Sequence, residues 1–183
     1  MGRRVGVLIS GAGSNLQALL DAGVPVAAVA SNNPEARGLT RAALAGVAAA
    51  SFPLGDYPDR DVRDEAMAAW LGSVGVDLVV CAGYMHLLTR TFLDRFPDAV
   101  VNVHPSLLPV FPGAHAVQDA LDAGVDETGA TVHLVDEGID TGTVLRQERV
   151  PVFVGDTPES LHARIQEVEH RILPAVVMEL VER

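Results

Sequence analysis

The sequence predicts an α/β fold: a Rossmann-like, open and mostly parallel twisted sheet with an antiparallel C-terminal portion and a long C-terminal helix. Three observations carry this. Apolar runs at Val5 to Ser10, Pro25 to Ser31, Val47 to Pro53 and Val76 to Cys81 alternate with helical patterns near 14–22, 36–45 and 58–72, the βαβα rhythm of a parallel sheet. Residues 129–135 and 143–150 read as two strands joined by a loop too short for a crossover, so they pair antiparallel. Thr157 and Pro158 open a final helix, which Pro174 is expected to kink.

The elements can be justified in order. In the first helix, Ser14 as N-cap with Gln17 three residues on reads as a capping box, and Gly23 sits where a C′ glycine belongs. A helix near 89–96 leads into the run AVVNVH, and another near 114–123 ends at Gly124. On the last helix Leu161, Ile165, Val168 and Ile172 follow helical spacing and mark its buried stripe. The expected organisation is one domain over 1–183, with a nucleotide- or phosphate-binding half at about 1–100 and a catalytic half at about 101–183.

Composition narrows the function. With 183 residues, 49% hydrophobic, 20% charged and a mean hydropathy of +0.26, the chain can bury a substantial core. No apolar run approaches the roughly 20 residues of a membrane span, and Met1-Gly2 lacks the serine or threonine at position 6 that a myristoylation signal needs. A cytoplasmic protein with no membrane partner is expected. The net charge of -11 with scattered basic residues argues against a nucleic-acid partner. All 13 basic residues are arginine, so there is neither a P-loop lysine nor a Schiff-base lysine. Cys81 lies in an apolar run without a partner for an internal disulfide and reads as a buried strand residue, a catalytic thiol being the alternative.

The stretch from Ala99 to Pro112, AVVNVHPSLLPVFP, is the richest in chemistry. Strand side chains alternate faces, so Asn102 and His104 point the same way, and Pro105 makes His104 the last strand residue. Such a polar pair either satisfies loop backbone groups or serves a ligand at the carboxyl edge of the sheet. The loop Leu107, Leu108, Val110 and Phe111, stiffened by Pro105, Pro109 and Pro112, favours the second reading, as a rigid apolar wall that shapes a pocket.

GAGSNL at 11–16 follows a strand and opens a helix. It serves either a tight turn or a single phosphate held by the helix N-terminus, and Leu16 stands where the dinucleotide fingerprint needs a glycine. DEGIDTG at 136–142 is an acidic turn in isolation. Asp140 gains meaning only beside His104, where a carboxylate would orient the imidazole and favour its charged form. His115 and His133 lie near in sequence, but no histidine spacing matches a zinc motif and no metal is expected.

GSNL at 13–16, AGYMHLL at 82–88, NVHPSLLP at 102–109 and DEGIDTG at 136–142 occur in one order over nearly the whole chain. Together they resemble the folate-dependent formyltransferase family, in its branch acting on glycinamide ribonucleotide. The resemblance implies the formyltransferase fold and transfer of the formyl group of 10-formyltetrahydrofolate to the amine of glycinamide ribonucleotide, in purine biosynthesis. Folate is then a cosubstrate, the partners are small molecules, and a homodimer is admitted.

The resemblance assigns Asn102, His104 and Asp140 to catalysis: Asn102 and protonated His104 stabilise the oxyanion, while Asp140 pairs with His104 and assists proton transfer. It assigns the ribonucleotide to Gly13, Ser14, Asn15 and Glu169. It places folate along Met85, His86, Leu87 and Leu88, with Asn102 and the loop Asp136, Glu137, Gly138, Ile139 and Asp140, and with Arg60 near an anionic group. Family members often carry asparagine at Ala12 and lysine at Val110, departures that spare the catalytic set.

Three rivals remain. A formyltetrahydrofolate hydrolase would use a similar set with water as acceptor, but usually carries an N-terminal regulatory domain. Methionyl-tRNA formyltransferase normally adds a C-terminal RNA-binding domain. A nucleotide-binding redox or regulatory domain would bind NAD or a flavin, against which Leu16 argues.

Overall fold

The computed structural model describes residues 2–183; Met1, where the expected domain and the Met1-Gly2 opening begin, lies outside the described residues. Strands β1 (Val5–Ile9), β2 (Val26–Ser31), β3 (Ala48–Ser51), β4 (Leu78–Cys81), β5 (Val100–His104), β6 (Glu127–Leu134) and β7 (Val144–Pro151) form one sheet in the order β3-β2-β1-β4-β5-β6-β7. The pairs through β5 are parallel, and β6 runs antiparallel to both β5 and β7. The sheet is mixed as expected, but the reversal begins one strand earlier than the 143–150 hairpin predicted it.

Helices α1 (Ser14–Asp21), α2 (Arg37–Leu44), α3 (Arg60–Ser73), α4 (Arg90–Leu93), α5 (Ala116–Asp122) and α6 (Pro158–Val181) flank the sheet. β1 and β4 are buried throughout, as the central strands of a covered parallel sheet must be, which is why they read as unbroken apolar runs. α6 packs on α1, β6 and β7 through the predicted stripe, with Leu161, Ile165, Val168 and Ile172 all buried. Each such side chain contributes about 1.5–3 kcal/mol of transfer free energy. Thr157 caps this helix in a reciprocal box with Ser160, and helical structure continues through Pro174 to Val181. No described helix is long and apolar enough to cross a membrane.

Two local readings are corrected. Ser14 is not an N-cap: Gly13 occupies that position with φ 71°, and no side chain caps the helix. Gly13 is there for closeness as well as conformation, because a Cβ on it would stand 2.7 Å from the α-carbon of Gly38. The helix expected over 89–96 ends at Leu93, since the Arg95 and Phe96 amides make tighter bonds to the carbonyls three residues back, a turn that buries Phe96 before Pro97.

Candidate active site

β5 delivers its polar pair as the strand period requires, with His104 as the last strand residue. Cross-strand register sets Asn102 opposite His133 and His104 opposite Thr131. At Val132/His133 the β6–β7 ladder shifts register, and such a bulge re-aims the residue it carries. Loop 136–142 then folds back over this face, closed by Asp136, whose Oδ1 accepts from the Gly138 amide (3.0 Å) and the Thr141 hydroxyl (2.7 Å). Gly142 permits the return, because a Cβ there would collide with the Leu134 carbonyl. Asp140 adopts φ 55°, a left-handed conformation that aspartate tolerates better than most residues.

These constraints bring Asp140 to His104, with Nδ1 and Oδ2 3.3 Å apart and both side chains largely buried. The ring's Nε2 lies 2.8 Å from the Phe111 carbonyl. A carbonyl only accepts, so Nε2 carries a proton and Nδ1 is the nitrogen left to serve chemistry. Asp140 also accepts the Gly113 N–H at 2.7 Å and lies 3.6 Å from His133 Nε2. Burial pushes its carboxyl up, but the Gly113 N–H and the facing His104 outweigh that and hold it below the usual carboxylate value.

His133 is the residue that sequence reasoning missed, having weighed it only as a metal ligand. Its Nδ1 donates to the Leu134 carbonyl (2.8 Å), which leaves Nε2 to accept from the Asn102 amide at 3.2 Å. That bond fixes the orientation of Asn102 and leaves its amide a second N–H. The available signal was register: a histidine directly opposite Asn102 in an antiparallel pair shares its face. Among the described residues no group of three or more metal-ligating side chains could hold an ion.

These groups line a cleft of about 350 Å³. Its other walls are Tyr84 to Leu88 and the loop residues Asp136, Gly138, Ile139 and Asp140. Met85 and Leu87, 70% and 50% exposed, form an apolar rim of the kind that marks a binding site. Of the other expected folate residues, Glu137 is exposed and pairs with Arg90 at 3.6 Å, and Arg60 stands at the start of α3; neither lines the cleft.

The stiff loop after His104 acts differently from expectation. Only Pro105 of the 105–112 segment reaches the cleft, while Leu108 is buried and Val110 points outward. Its contribution is backbone: the Phe111 carbonyl fixes His104. The loop itself is held by Thr131, which donates to the Ser106 carbonyl (2.6 Å) and accepts the Leu108 amide (3.1 Å), and by Gln147, which donates to the Leu108 carbonyl (2.7 Å).

The second group lies at the start of α1. Gly13, Ser14 and Asn15 form its first turn, and the unbonded amides and helix dipole there favour an anion. Arg41, a further residue the sequence did not single out, lays its guanidinium along this loop, with Nε donating to the Ala12 carbonyl at 2.9 Å. Asn15 turns inward, and its Nδ2 donates to Glu169 Oε2 at 2.9 Å, across 154 residues of sequence. Burial pushes the Glu169 carboxyl up, while the Asn15 bond and, more weakly, His162 pull it down. Asn15 Oδ1 is buried without a partner among the described residues.

The formyl transferase family profile matches residues 3–177. This chain belongs to the formyl transferase family. It is 49% identical over 181 residues to the phosphoribosylglycinamide formyltransferase of Mycobacterium tuberculosis, covering 97% of this chain and 84% of that one. It is 43% identical to the trifunctional purine biosynthetic protein adenosine-3 of Drosophila melanogaster, where 98% of this chain covers 14% of the larger protein. Among solved structures, glycinamide ribonucleotide transformylase 1 from Symbiobacterium toebii superposes with a TM-score of 0.97 at 47% identity, over 99% of this chain and 88% of that one. The formyl transferase fold expected from the motifs is therefore the fold observed.

Proposed function

We propose that this formyl transferase moves the formyl group of 10-formyltetrahydrofolate to the amine of glycinamide ribonucleotide. The observation that carries the reading is the buried His104–Asp140 pair beside Asn102 in an apolar-rimmed cleft, in a chain whose relatives are named for formyl transfer to phosphoribosylglycinamide. The apolar rim suits a pterin. The α1 turn suits one phosphate, and the Asn15–Glu169 pair, a buried carboxylate beside an unpartnered amide oxygen, suits an amine that can donate to both.

The chemistry follows from these groups. The amine nitrogen bonds to the formyl carbon and the carbonyl becomes a tetrahedral oxyanion. The free N–H of Asn102 and Nδ1–H of the His104 imidazolium donate to it, and the Asp140 carboxylate balances the imidazolium charge. The bond from the formyl carbon to N10 of the folate then breaks. The proton lost by the amine passes to N10, with Asp140 and His104 as the groups able to hold it in transit. Removing one oxyanion donor of this kind costs about 10²–10³ in rate.

The test is tetrahydrofolate release from 10-formyltetrahydrofolate with and without glycinamide ribonucleotide. Release that requires the ribonucleotide supports the transferase. Release without it marks a hydrolase and overturns the assignment of acceptor.

A further inference from the structure

Arg63 and Asp64 are fully buried on α3, with Nε and Oδ1 2.6 Å apart. Neighbouring helix positions do not face one another, and a buried ion pair is expensive to desolvate, so simple stability is a poor reason for it. Both side chains reach outward to one segment. Asp64 Oδ2 accepts the Thr89 amide at 2.8 Å, and Arg63 Nη1 donates to His86 Nδ1 at 2.9 Å. One ion pair thus grips both ends of 86–89, the cleft wall that carries Leu87 and Leu88.

The contacts continue beyond His86. With Nδ1 taken by Arg63 the ring's proton is on Nε2, 3.3 Å from the Asn32 side-chain amide, whose oxygen, turned to this N–H, accepts it while its NH2 meets the Ser10 hydroxyl at 2.5 Å. Ser10 Oγ accepts the Met85 amide at 2.8 Å, and its own amide donates to the Gly83 carbonyl at 3.2 Å. Ser10 immediately precedes Gly11, where the phosphate loop begins. We propose that Arg63 is a positioning residue, which holds His86 as a neutral acceptor and so fixes the folate wall relative to the phosphate loop. The proposal rests on the function assigned above, because it names the two surfaces being aligned.

A guanidinium has donors only, so His86 can meet Arg63 only through a bare Nδ1. Protonation at Nδ1 would set two donors and two positive charges face to face. The groups facing His86 are Arg63, Arg60 and Asp64 from α3, the neutral Asn32 amide from the β2–α2 loop, and the Tyr84 ring on its own segment, 5.9 Å away between centroids. Burial first, then Arg63 and Arg60, hold the imidazole below its usual value against the pull of Asp64. The connection is therefore intact at neutral pH and is lost as pH falls through that lowered value.

The experiment combines amide hydrogen exchange over 84–89, which needs no substrate, with steady-state kinetics. The double variant Arg63→Met with Asp64→Asn removes both charges and keeps the buried volume. It should exchange at 84–89 at least about tenfold faster, and raise KM for the formyl donor about tenfold with kcat changed less than about twofold. Arg63→Lys, whose single ammonium can serve one partner at a time, should fall between.

In the wild type, exchange at 84–89 corrected for intrinsic rates should accelerate only as pH falls below about 6.5, the ordinary histidine value, and His86→Gln, an acceptor that does not titrate, should abolish that acceleration. Wild-type protection in the double variant, a loss in kcat at unchanged KM, or an identical pH response in His86→Gln would each overturn the role. If the double variant does not fold, Asn32→Ala cuts the connection outside the core and must loosen 84–86 in the same assay. Absence of formyl transfer by the wild type would refute the assigned function while leaving the exchange result to decide Arg63.

Discussion

Replacing Asp140 with asparagine keeps the size of the side chain and one oxygen to accept the Gly113 N–H, now 2.7 Å away, but removes the charge that faces His104 Nδ1 at 3.3 Å. Opposite unit charges at that distance attract by about 5 kcal/mol at an effective dielectric of about 20. Each 1.36 kcal/mol is a decade of rate, so the full pair corresponds to about 3–4 decades. His133 remains beside the site and water can screen part of the loss, which sets the expected fall in kcat for Asp140→Asn at about 10³. KM for both substrates should stay within about threefold, because the oxyanion that the charged pair stabilises forms along the reaction and not on binding. Steady-state kinetics with each substrate varied in turn reads both quantities. A kcat within tenfold of wild type, or a loss confined to KM, would refute the charge-balancing role of Asp140.

The remaining predictions concern the neighbouring groups. Glu169→Gln keeps an acceptor for Asn15 but removes a buried carboxylate whose raised value destabilises the empty fold above the ordinary glutamate range. The variant should raise Tm at pH 7 to 8, at about 2–4 °C per kcal/mol recovered, lose that advantage toward pH 4, and bind the ribonucleotide at least tenfold more weakly. Equal Tm values across that range would contradict it. Gly13→Ala, forced into φ 71° and against Gly38, should weaken ribonucleotide binding at least tenfold by calorimetry while leaving folate binding unchanged. The Cys81 thiol is pushed up to about 12 by burial, with Asp64 adding to it, so native protein should resist a disulfide reagent at pH 8. Rapid labelling would revive the catalytic thiol that the sequence left open.

Several features of this site were written locally and could be read. The apolar runs of β1 and β4 reflect strands buried on both faces, and the two-residue spacing of Asn102 and His104 places them on one face whatever surrounds them. The contact between His104 and Asp140 was not readable from spacing, since it depends on a loop folding back through φ 55° and on a bulge at His133. The motif resemblance implied that pairing, and in the fold it is a contact of 3.3 Å. Ser14 matched a capping pattern because the pattern does not register the close approach of Gly13 to Gly38. Arg63 and Asp64 were passed over for a similar reason. Charged residues on a helix are usually solvated, and nothing local distinguishes the two that reach across to His86 and Thr89.

The most direct test of the account is a single turnover with donor carrying ¹³C in its formyl group, followed by NMR, for the wild type and for His104→Ala. The account predicts that the label appears on the ribonucleotide amine with wild type, and that His104→Ala binds both substrates yet leaves the label on the folate. Label released as formate with or without the ribonucleotide, or transfer by His104→Ala at the wild-type rate, would contradict it.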